Sequence, residues 1–388
     1  MYDCLIVGCG FAGAAAARKL ADSGKSVLLC ERRTHIAGNM YDCPDDNGVL
    51  IHRYGPHIFH TQNKEVFEFL GRFSEFFPYE HRVLGKIDGK LVPIPFNFLS
   101  FDLLYEKSAA EEIKLLLTEA FSGREKVSVL ELMESSDDKI RAAGEYIYKN
   151  VFENYTAKQW GVPPEEVDKS VINRVPVKLG YDDRYFTDVY QYMPAHGFTK
   201  LFESLLDHPL ITVELGCDAL SRLSIDFDSG TLSWDGEKFD RPVIYTGPVD
   251  ELFGCRFGRL PYRSLDLVFR RMDMTRFQPA GVVNYPNEED FTRITEFKYL
   301  TAQQLEGATT ILYEYPLDYD IKAARGNIPY YAVINPQNTA LYEKYKELAQ
   351  GFGNLYLCGR LAEYKYYNMD AAVGAALNVA QQVRVEFI

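Results

Sequence analysis

The sequence of 388 residues lacks the features of several functional classes. Its seven cysteines form no CxxC pair and show no spacing typical of metal ligands, and a scattered, odd set of thiols is typical of a reducing compartment. We therefore expect a cytoplasmic protein. The apolar start at residues 4–17 lacks a basic leader, so we expect no secretory signal. No apolar run reaches the ~18 residues that a membrane-spanning helix requires, so we expect no membrane span.

Positive charge is scarce. The chain carries 42 Lys and Arg residues against 55 Asp and Glu residues, which gives a net charge of −13 and a pI near 5.1. This balance argues against nucleic acid or an anionic membrane as a general partner, so an anionic ligand would have to be held by a few local cations. With 47% hydrophobic and 25% charged residues, the chain is typical of a globular protein, and its length predicts two or three structural units.

The first 31 residues carry a pattern typical of dinucleotide binding. An apolar strand at 5–7 leads into Gly8, Gly10 and Gly13, which are followed by a helix of small residues, a second strand and Glu31. In this GxGxxG turn, Gly8 permits the tight turn, Gly10 lets a pyrophosphate approach the backbone, and Gly13 lets helix and strand pack closely. The pyrophosphate would bind at the helix N-terminus, and Glu31 would accept hydrogen bonds from ribose hydroxyls.

The end of the chain shows the same order of strand, glycine and helix. A strand at 355–358 is followed by Gly359 and Arg360, and then by a helix of small residues at 369–385. We predict an α/β fold in which a Rossmann-type FAD-binding domain is built from both termini, with an inserted helical domain and an inserted antiparallel-sheet domain. The predicted boundaries are 1–82, 196–250 and 335–388 for the FAD-binding domain, 98–180 for the helical domain with its mobile substrate loop, and 83–97, 181–195 and 251–334 for the antiparallel-sheet domain.

The glycine turn alone does not distinguish NAD from FAD. The basic and glycine-rich segment 32–39 follows the second strand, and the turn at 359–360 precedes the last helix; both features favour FAD. The positive end of that last helix would stabilise negative charge on a reduced flavin. The sequence has no second GxGxxG unit for NAD(P)H, which disfavours a reductase that uses two nucleotides.

Five motifs resemble, in matching order, those of the bacterial UDP-galactopyranose mutases. They occupy residues 55–61, 154–161, 245–248, 291–296 and 359–367. The resemblance implies a homodimeric flavoprotein that interconverts UDP-galactopyranose and UDP-galactofuranose without net redox change, for the synthesis of galactofuranose-containing cell-wall or surface glycans. It also implies that FAD is active as FADH−, that an external reductant keeps it reduced, and that its N5 atom forms a covalent adduct with the anomeric carbon of the sugar.

Two other functions remain open at this point. One is an FAD-dependent oxidoreductase of the amine oxidase type, which would not need cations for a diphosphate or aromatic residues for a uridine. The other is a non-catalytic flavin-containing protein that binds UDP-sugars.

The resemblance also implies which residues form the site. The residues that would bind FAD are Gly8, Gly10, Phe11, Ala12, Gly13, Glu31, Arg32, Gly38, Asn39, His57, Ile58, Gly359, Arg360, Asn368 and Met369. The residues that would bind the substrate are Phe152, Tyr155, Trp160, Arg174, Tyr185, Asn284, Arg293, Tyr315 and Tyr366. Arg174 and Arg293 would stabilise the departing diphosphate, and His60 would lie near the sugar as a third catalytic residue. We expect the segment that carries Arg174 to close when UDP binds.

Three histidines and one asparagine bear on whether the protein binds a metal and on which sugar it accepts. His57 and His60 are three residues apart, but Pro56 disfavours a helix around them and no third ligand is apparent, so we expect no metal. Asn368 and His81 stand where several relatives have Asp and Asn. Because His81 would lie near the substrate pocket, the identity of the sugar stays open, and an N-acetylated hexose is one alternative.

Overall fold

The computed structural model describes residues 2–161 and 175–386. The strands in these ranges are β1 Cys4–Val7, β2 Val27–Glu31, β3 Asp42–Pro44, β4 Leu50–His52, β5 Phe59–Thr61, β6 Phe76–Pro78, β7 Val83–Ile87, β8 Lys90–Ile94, β9 Lys126–Val127, β10 Val177–Lys178, β11 Tyr190–Pro194, β12 Ile211–Leu215, β13 Leu223–Asp226, β14 Thr231–Trp234, β15 Glu237–Lys238, β16 Val243–Tyr245, β17 Tyr262–Met272, β18 Val282–Asn284, β19 Arg293–Glu296, β20 Thr309–Asp318, β21 Tyr331–Ala332 and β22 Leu355–Leu357. The α-helices are α1 Phe11–Ala21, α2 Lys64–Gly71, α3 Phe98–Leu104, α4 Lys107–Ala120, α5 Val129–Met133, α6 Asp138–Ile147, α7 Asn154–Trp160, α8 Phe198–Leu206, α9 Val249–Leu252, α10 Phe297–Leu300, α11 Pro336–Gln350 and α12 Met369–Glu386.

A five-stranded parallel sheet has the order β12-β2-β1-β16-β22. Its inner strands are short and apolar, and β2 is buried along its whole length. Such strands are typical of a parallel sheet that is covered on both faces. Because β1 comes from the start of the chain, β12 and β16 from the middle and β22 from the end, the predicted α/β fold with a Rossmann-type unit built from both termini is confirmed.

Helices α1 and α12 pack against each other beside this sheet. The alanine run at 14–17 of α1 is fully buried, and Ala376 and Ala380 of α12 are buried as well. Small side chains on both helices allow their backbones to approach closely. The two helices therefore begin next to each other, and both begin at the same edge of the parallel sheet.

The turn between β1 and α1 depends on its glycines. Gly8 has a φ of +101°, and a Cβ there would lie 2.1 Å from Oγ1 of Thr246. A Cβ on Gly13 would lie 1.9 Å from the carbonyl oxygen of Gly8. The close packing of helix on strand that the sequence predicts at Gly13 is thus present, and it leaves no room for a side chain.

The largest sheet has seven strands in the order β21-β17-β20-β19-β18-β7-β8. Neighbouring strands are antiparallel except for β18 and β7, which are parallel. In the register of this sheet, Arg293 of β19 lies opposite Asn284 of β18 and opposite Glu314 of β20. The hairpin of β7 and β8 turns at Asp88 and Gly89, both with positive φ, and β8 forms the edge of the sheet.

Smaller elements complete the fold. A three-stranded sheet of β5, β11 and β6 carries His60, and a second three-stranded sheet of β13, β14 and β15 turns at Asp235 and Gly236. Helices α3–α6 and a π-helix at Tyr148–Glu153 surround a separate apolar cluster that includes Phe152. The exact domain boundaries stay a prediction. In the described ranges, every helix is too short or too polar to cross a lipid bilayer.

The glycine contact gives a prediction about stability. We expect Gly13→Ala to lower the free energy of unfolding by about 2–3 kcal/mol, because its Cβ would overlap the backbone of Gly8. Urea unfolding followed by circular dichroism measures the change.

The matched control for this prediction is Gly71→Ala. Gly71 is the exposed last residue of α2, and a Cβ there would meet nothing within 4 Å. We expect its unfolding free energy to stay within about 0.5 kcal/mol of the wild-type value. Equal unfolding midpoints for the two variants would contradict the steric account of Gly13.

Candidate active site

A cavity of about 250 Å³ opens at the carboxyl ends of the five parallel strands. Its walls come from the segments that follow β1, β2, β12, β16 and β22. Open parallel sheets bind their ligands at this edge. The residues predicted to bind FAD that line the cavity are Gly8, Gly10, Phe11, Ala12, Glu31, Arg32, Gly38, Asn39, His57, Gly359, Arg360, Asn368 and Met369.

Two of the residues predicted to bind FAD lie behind the wall of the cavity. Gly13 packs against the backbone of Gly8, and Ile58 is partly buried against the apolar cluster that contains α1. These two residues support the shape of the cavity, and their direct contact with a cofactor stays a prediction.

The start of α1 is open to an anion. Gly10 is the N-cap and has no side chain to occupy the free N–H groups, and the first turn carries no acidic residue. A Cβ on Gly10 would meet nothing within 4 Å, so this side of the turn faces the open cavity. The free N–H groups and the positive end of the helix dipole are therefore available to a phosphate.

Glu31 organises the turn that faces the cavity. Its Oε2 accepts a hydrogen bond from the backbone N–H of Cys9 at 2.9 Å, and its Oε1 accepts one from the backbone N–H of Arg33 at 3.0 Å. The carboxylate is buried and lines the cavity. Because each carboxylate oxygen has a second lone pair, these two bonds leave Glu31 able to accept from a ribose hydroxyl as predicted.

The cavity offers polar groups that lack a partner. Among the described residues, buried Nη1 of Arg33, Oη of Tyr330 and Nδ1 of His57 have no hydrogen-bond partner, and all three residues line the cavity. Nη2 of Arg33 donates to Oδ1 of Asn39 at 2.8 Å, and its guanidinium lies 4.3 Å over the ring of Tyr54. Since leaving a buried polar group unpaired costs about 1–3 kcal/mol, a phosphate-bearing ligand that pairs with these groups fits the site. The donor set therefore fits FAD.

Several lining residues were not predicted from the sequence. Arg33 forms a basic pair with Arg32 in the sequence, and only Arg32 is among the residues predicted to bind FAD. The segment 217–220 lines the cavity because β12 pairs with β2, which is far away along the chain. Tyr330 reaches the cavity from the segment before β21. No local pattern indicates these long-range pairings.

Three histidines in this region, the buried His52 and His81 and the partly buried His57, have lowered pKa values. The backbone N–H of His57 donates to Nδ1 of His52 at 3.0 Å. Burial lowers the pKa of His52 to about 4 and holds the pKa of His57 well below its usual value. Burial also lowers the pKa of His81 to about 3, and the charge of Arg293 acts in the same direction. These side chains therefore add no positive charge at neutral pH.

Arg293 is held next to the cavity by a buried carboxylate. Its Nε donates to Oε1 of Glu314 at 2.7 Å, and Glu314 is 1% exposed. Within the described ranges, the Nη groups of Arg293 donate no hydrogen bond. Its positive charge contributes to the lowered pKa of His57, which lines the cavity. The guanidinium is thus fixed by one edge while its other edge stays available to an anion.

A stack of tyrosines connects Arg293 to the cavity. The rings of Tyr331 and Tyr366 are 5.5 Å apart with an interplanar angle of 7°. The guanidinium carbon of Arg360 lies 5.4 Å from the ring centre of Tyr331 and 5.3 Å from that of Tyr366. Burial raises the pKa of the hydroxyls of Tyr155 and Tyr331, and the positive charge of Arg293 acts on both in the opposite direction. The site therefore contains phenol groups that are neutral hydrogen-bond donors.

The structure brings Tyr331 to this group instead of Tyr315, which the sequence predicts. Side chains alternate between the two faces of a strand. Glu314 shares a face with Arg293, whereas Tyr315 lies on the other face, where it meets the edge of Phe291. Tyr330 and Tyr331, which are adjacent in the sequence, are the residues that the sequence prediction missed.

The other predicted substrate residues have different surroundings. Asn284 lies opposite Arg293, and its buried Oδ1 has no partner among the described residues. Tyr155 and Trp160 lie on α7, while Phe152 is buried in the apolar cluster of the helical part. Tyr185 meets the edge of the Phe186 ring.

The two remaining predicted catalytic residues differ in how far the structure describes them. His60 is held by Asp188, with 2.9 Å between Nδ1 and Oδ2, and its ring stacks on Phe186 with 3.6 Å between centroids. Arg174 lies outside the described residues. Its predicted contact with the diphosphate, and the closing of its segment, stay predictions.

One group of side chains has metal-ligand geometry. The ligand atoms of Cys30, Glu214 and Cys217 lie within 4.8 Å of one another. Arg222 donates to Glu214 at 2.6 Å and to Sγ of Cys217 at 3.5 Å, and burial raises the pKa of Cys30. The neighbouring guanidinium and a protonated thiol both disfavour a cation at this position.

The neutral histidines give a prediction about acid stability. Below pH 6.5 the unfolded chain takes up protons that the folded histidines, with their lowered pKa values, do not, so the free energy of unfolding falls as pH falls. Each such histidine contributes up to about 1.4 kcal/mol per pH unit between its unfolded and folded pKa values. We expect His81→Asn to lose less stability than the wild type between pH 6.5 and pH 5 in thermal unfolding scans.

The control is His196→Asn, which removes an exposed histidine. It should keep the wild-type loss of stability over the same pH range. If His81→Asn shows that same loss, burial of a neutral His81 does not contribute to the acid sensitivity.

Comparisons with known proteins agree with this geometry. The family model described as UDP-galactopyranose mutase matches residues 150–366, and a model of an NAD(P)-binding Rossmann-like domain matches residues 6–73. A UDP-galactopyranose mutase of Mycoplasma pneumoniae is 36% identical over 98% of this chain and 96% of its own length. A dTDP-fucopyranose mutase of Escherichia coli is 34% identical over 98% of both chains.

A solved structure supports the fold. The crystal structure of reduced UDP-galactopyranose mutase matches with a TM-score of 0.71, at 17% identity, over 100% of this chain and 96% of the other. The family model covers more than half of the chain, and the sequence relatives match it almost from end to end. Together with a cavity that fits FAD, these matches show that the chain belongs to the UDP-galactopyranose mutase family of FAD-dependent isomerases.

Proposed function

We propose that this protein interconverts UDP-galactopyranose and UDP-galactofuranose. The observation that carries the proposal is the position of Arg293, which a buried glutamate holds close to the cofactor cavity with its Nη groups available. A nucleoside diphosphate gains negative charge when its bond to the sugar breaks, and a fixed guanidinium stabilises that charge. An amine oxidase would have no use for such a cation at this place.

The residues around Arg293 suit the rest of a nucleotide. The hydroxyls of Tyr331 and Tyr366 are donors for phosphate oxygens. The amide oxygen of Asn284, which has no partner in the described part of the chain, can accept from a sugar or ribose hydroxyl. On α7, Tyr155 and Trp160 supply aromatic rings on which a pyrimidine base can stack. The proposed substrate thus extends from α7, past Arg293, to the cofactor cavity.

The chain holds the cofactor by its fixed dipoles and by a few cations. The N–H groups at the start of α1 and the guanidinium of Arg33 bind its phosphates, and Arg360 lies between its cavity and the tyrosine stack. When bound in its reduced form, the flavin supplies at N5 the nucleophile for the anomeric carbon of the sugar. The protein's own task is to place the sugar there and to stabilise the diphosphate that departs.

The finer parts of the proposal rest on the family relationship. We propose that an external reductant keeps the FAD reduced, that the enzyme is a homodimer in the cytoplasm, and that its product is used for galactofuranose-containing cell-wall or surface glycans. One relative is named dTDP-fucopyranose mutase, so a thymidine-linked 6-deoxyhexose is a second candidate substrate of the same chemistry.

The test is a conversion assay with the purified flavoprotein. The protein is incubated with UDP-galactofuranose, and in parallel with dTDP-fucopyranose, with and without dithionite, and the sugar nucleotides are separated. We expect conversion of UDP-galactofuranose to UDP-galactopyranose only under reduction. Arg293→Ala should lower kcat/KM about 100- to 1,000-fold while the flavin spectrum stays unchanged.

Other outcomes would replace the proposal. Faster conversion of the fucose compound would assign the protein to that substrate. Formation of peroxide with an amine would indicate an oxidase, and UDP binding without turnover would indicate a binding protein.

The two faces of β20 and the position of β21 give a paired prediction. We expect Tyr331→Phe to lower kcat/KM about tenfold, because it removes a hydroxyl that can donate to the charged diphosphate. Tyr315→Phe makes the same chemical change on the face turned away from Arg293, so it should stay within about twofold of the wild type. The assay above measures both, and a larger effect at Tyr315 would contradict the assignment.

A further inference from the structure

We infer that Lys158 and Arg263 are positioning residues that fix α7 at a set distance from the strand that carries Arg293. The inference rests on the proposed function, because it assumes that α7 holds the base and Arg293 the diphosphate of one nucleotide. Neither residue lines the cofactor cavity. Both act on backbone carbonyl groups, and so they control where other side chains lie.

Arg263 holds the end of α7. It lies on β17, is 4% exposed and forms an ion pair with Asp318. Its Nε donates to the carbonyl oxygen of Gln159 at 2.9 Å, and its Nη2 donates to that of Lys158 at 3.3 Å. The last carbonyl groups of a helix lack partners within the helix and carry the negative end of its dipole. A buried guanidinium at this end therefore attaches α7 to the large sheet.

Gly161 makes this attachment close. It follows the last residue of α7 with a φ of +68°, and a Cβ there would lie 2.5 Å from Nη1 of Arg263. A side chain at this position would displace the guanidinium of Arg263, and the positive φ also favours glycine. The contact of Arg263 with the helix end is thus built into the turn that follows Trp160.

Lys158 of α7 makes a second attachment, to the loop that joins β18 to β19. Its Nζ donates to the carbonyl oxygen of Tyr285 at 2.6 Å and to that of Glu289 at 2.8 Å. Both acceptors lie in the loop 285–291, which joins β18 to β19. The ammonium group is partly buried and its partners are neutral carbonyl dipoles, so it stabilises one conformation of the loop more than a surface ion pair would.

The loop 285–291 is continuous with the proposed diphosphate site. Asn284 precedes it directly, Arg293 follows it by two residues, and the backbone N–H of Tyr285 donates to the carbonyl oxygen of Thr292 at 2.8 Å. The conformation of the loop therefore affects how the strand ends place Asn284 and Arg293. Lys158 couples the loop to α7, the helix of Tyr155 and Trp160.

The separation of α7 from Arg293 determines how the base site and the diphosphate site together contribute to affinity for the nucleotide. The base and the diphosphate of one nucleotide are joined by a short linker, so both regions contribute fully only when their separation matches the ligand. A protein without the lysine contact would still bind the base and the diphosphate separately. It would lose part of the gain in affinity that comes from binding both at once. The effect should appear in binding of the nucleotide and in KM, and much less in kcat.

The experiment compares Lys158→Met with Lys86→Met in the FAD-loaded protein. Lys86 contacts the same loop, through Oε1 of Glu289 at 2.8 Å, but its side chain is 39% exposed and its contact is a surface ion pair. UDP affinity is measured by calorimetry, and kcat and KM by the conversion assay. We expect Lys158→Met to weaken UDP binding and raise KM about tenfold with kcat within about twofold, and Lys86→Met to match the wild type.

The outcomes separate this inference from the proposed function. If the wild type binds no UDP, the proposed function fails. If the wild type binds UDP and Lys158→Met binds it equally well, or loses kcat with unchanged KM, the inference alone fails. Should Lys158→Met lose its flavin or its cooperative unfolding transition, the UDP affinity, kcat and KM of Arg263→Gln are measured instead, and the same outcomes decide the inference. Loss of folding in both variants would show a requirement for folding instead of positioning, and would overturn the inference as well.

Discussion

The pairing of Arg293 with Glu314 is the interaction on which the proposed substrate site depends. A chain with a net charge of −13 has to bind an anionic cofactor and an anionic substrate next to each other. A carboxylate that is 1% exposed fixes the guanidinium through Nε, and the pair lies on adjacent strands of the large sheet. Each partner compensates the charge of the other at a place that water reaches little. The local arrangement thus places a cation where an anionic ligand has to bind against the overall negative charge of the chain.

The register of the sheet determines which side chains join Arg293. Because side chains alternate along a strand, a slip of one residue between β19 and β20 would place Tyr315 beside the guanidinium and turn Glu314 away. The long pairing of β17 with β20, ten residues on each side, fixes which face of β20 carries Glu314 and which carries Tyr315. The site of the substrate is therefore specified by backbone pairing at a distance from it, while the cofactor cavity is specified by the ends of five short parallel strands.

This difference explains how much the sequence could predict. The turn at Gly8, Gly10 and Gly13 is local, so both its conformation and its place at the start of α1 follow from a few adjacent residues. The face on which a tyrosine of β20 or β21 lies depends on strand register, which no local pattern gives. The resemblance alone therefore pointed to Tyr315, whereas the three-dimensional pairing brings Tyr331. The segment 217–220 escaped prediction for the same reason, since its strand joins the sheet beside β2 only in the folded chain.

The position of α12 shows how Asn368 affects the charge in the cofactor cavity. This helix begins at Met369, and Asn368, Met369 and Ala372 line the cofactor cavity. An aspartate at 368 would place a further negative charge there, close to the positive end of the helix, whereas asparagine adds no charge. Asp370, the acidic residue of the first turn, accepts from Oγ1 of Thr61 at 2.8 Å and from the N–H of Ala371, so its charge is partly satisfied. Helix ends stabilise negative charge by about 0.3–1 kcal/mol, and by more when partly buried. Asparagine at position 368 therefore favours an anionic group in this part of the cavity. The open start of α1 and the guanidinium of Arg33 provide the same electrostatic preference at its other wall.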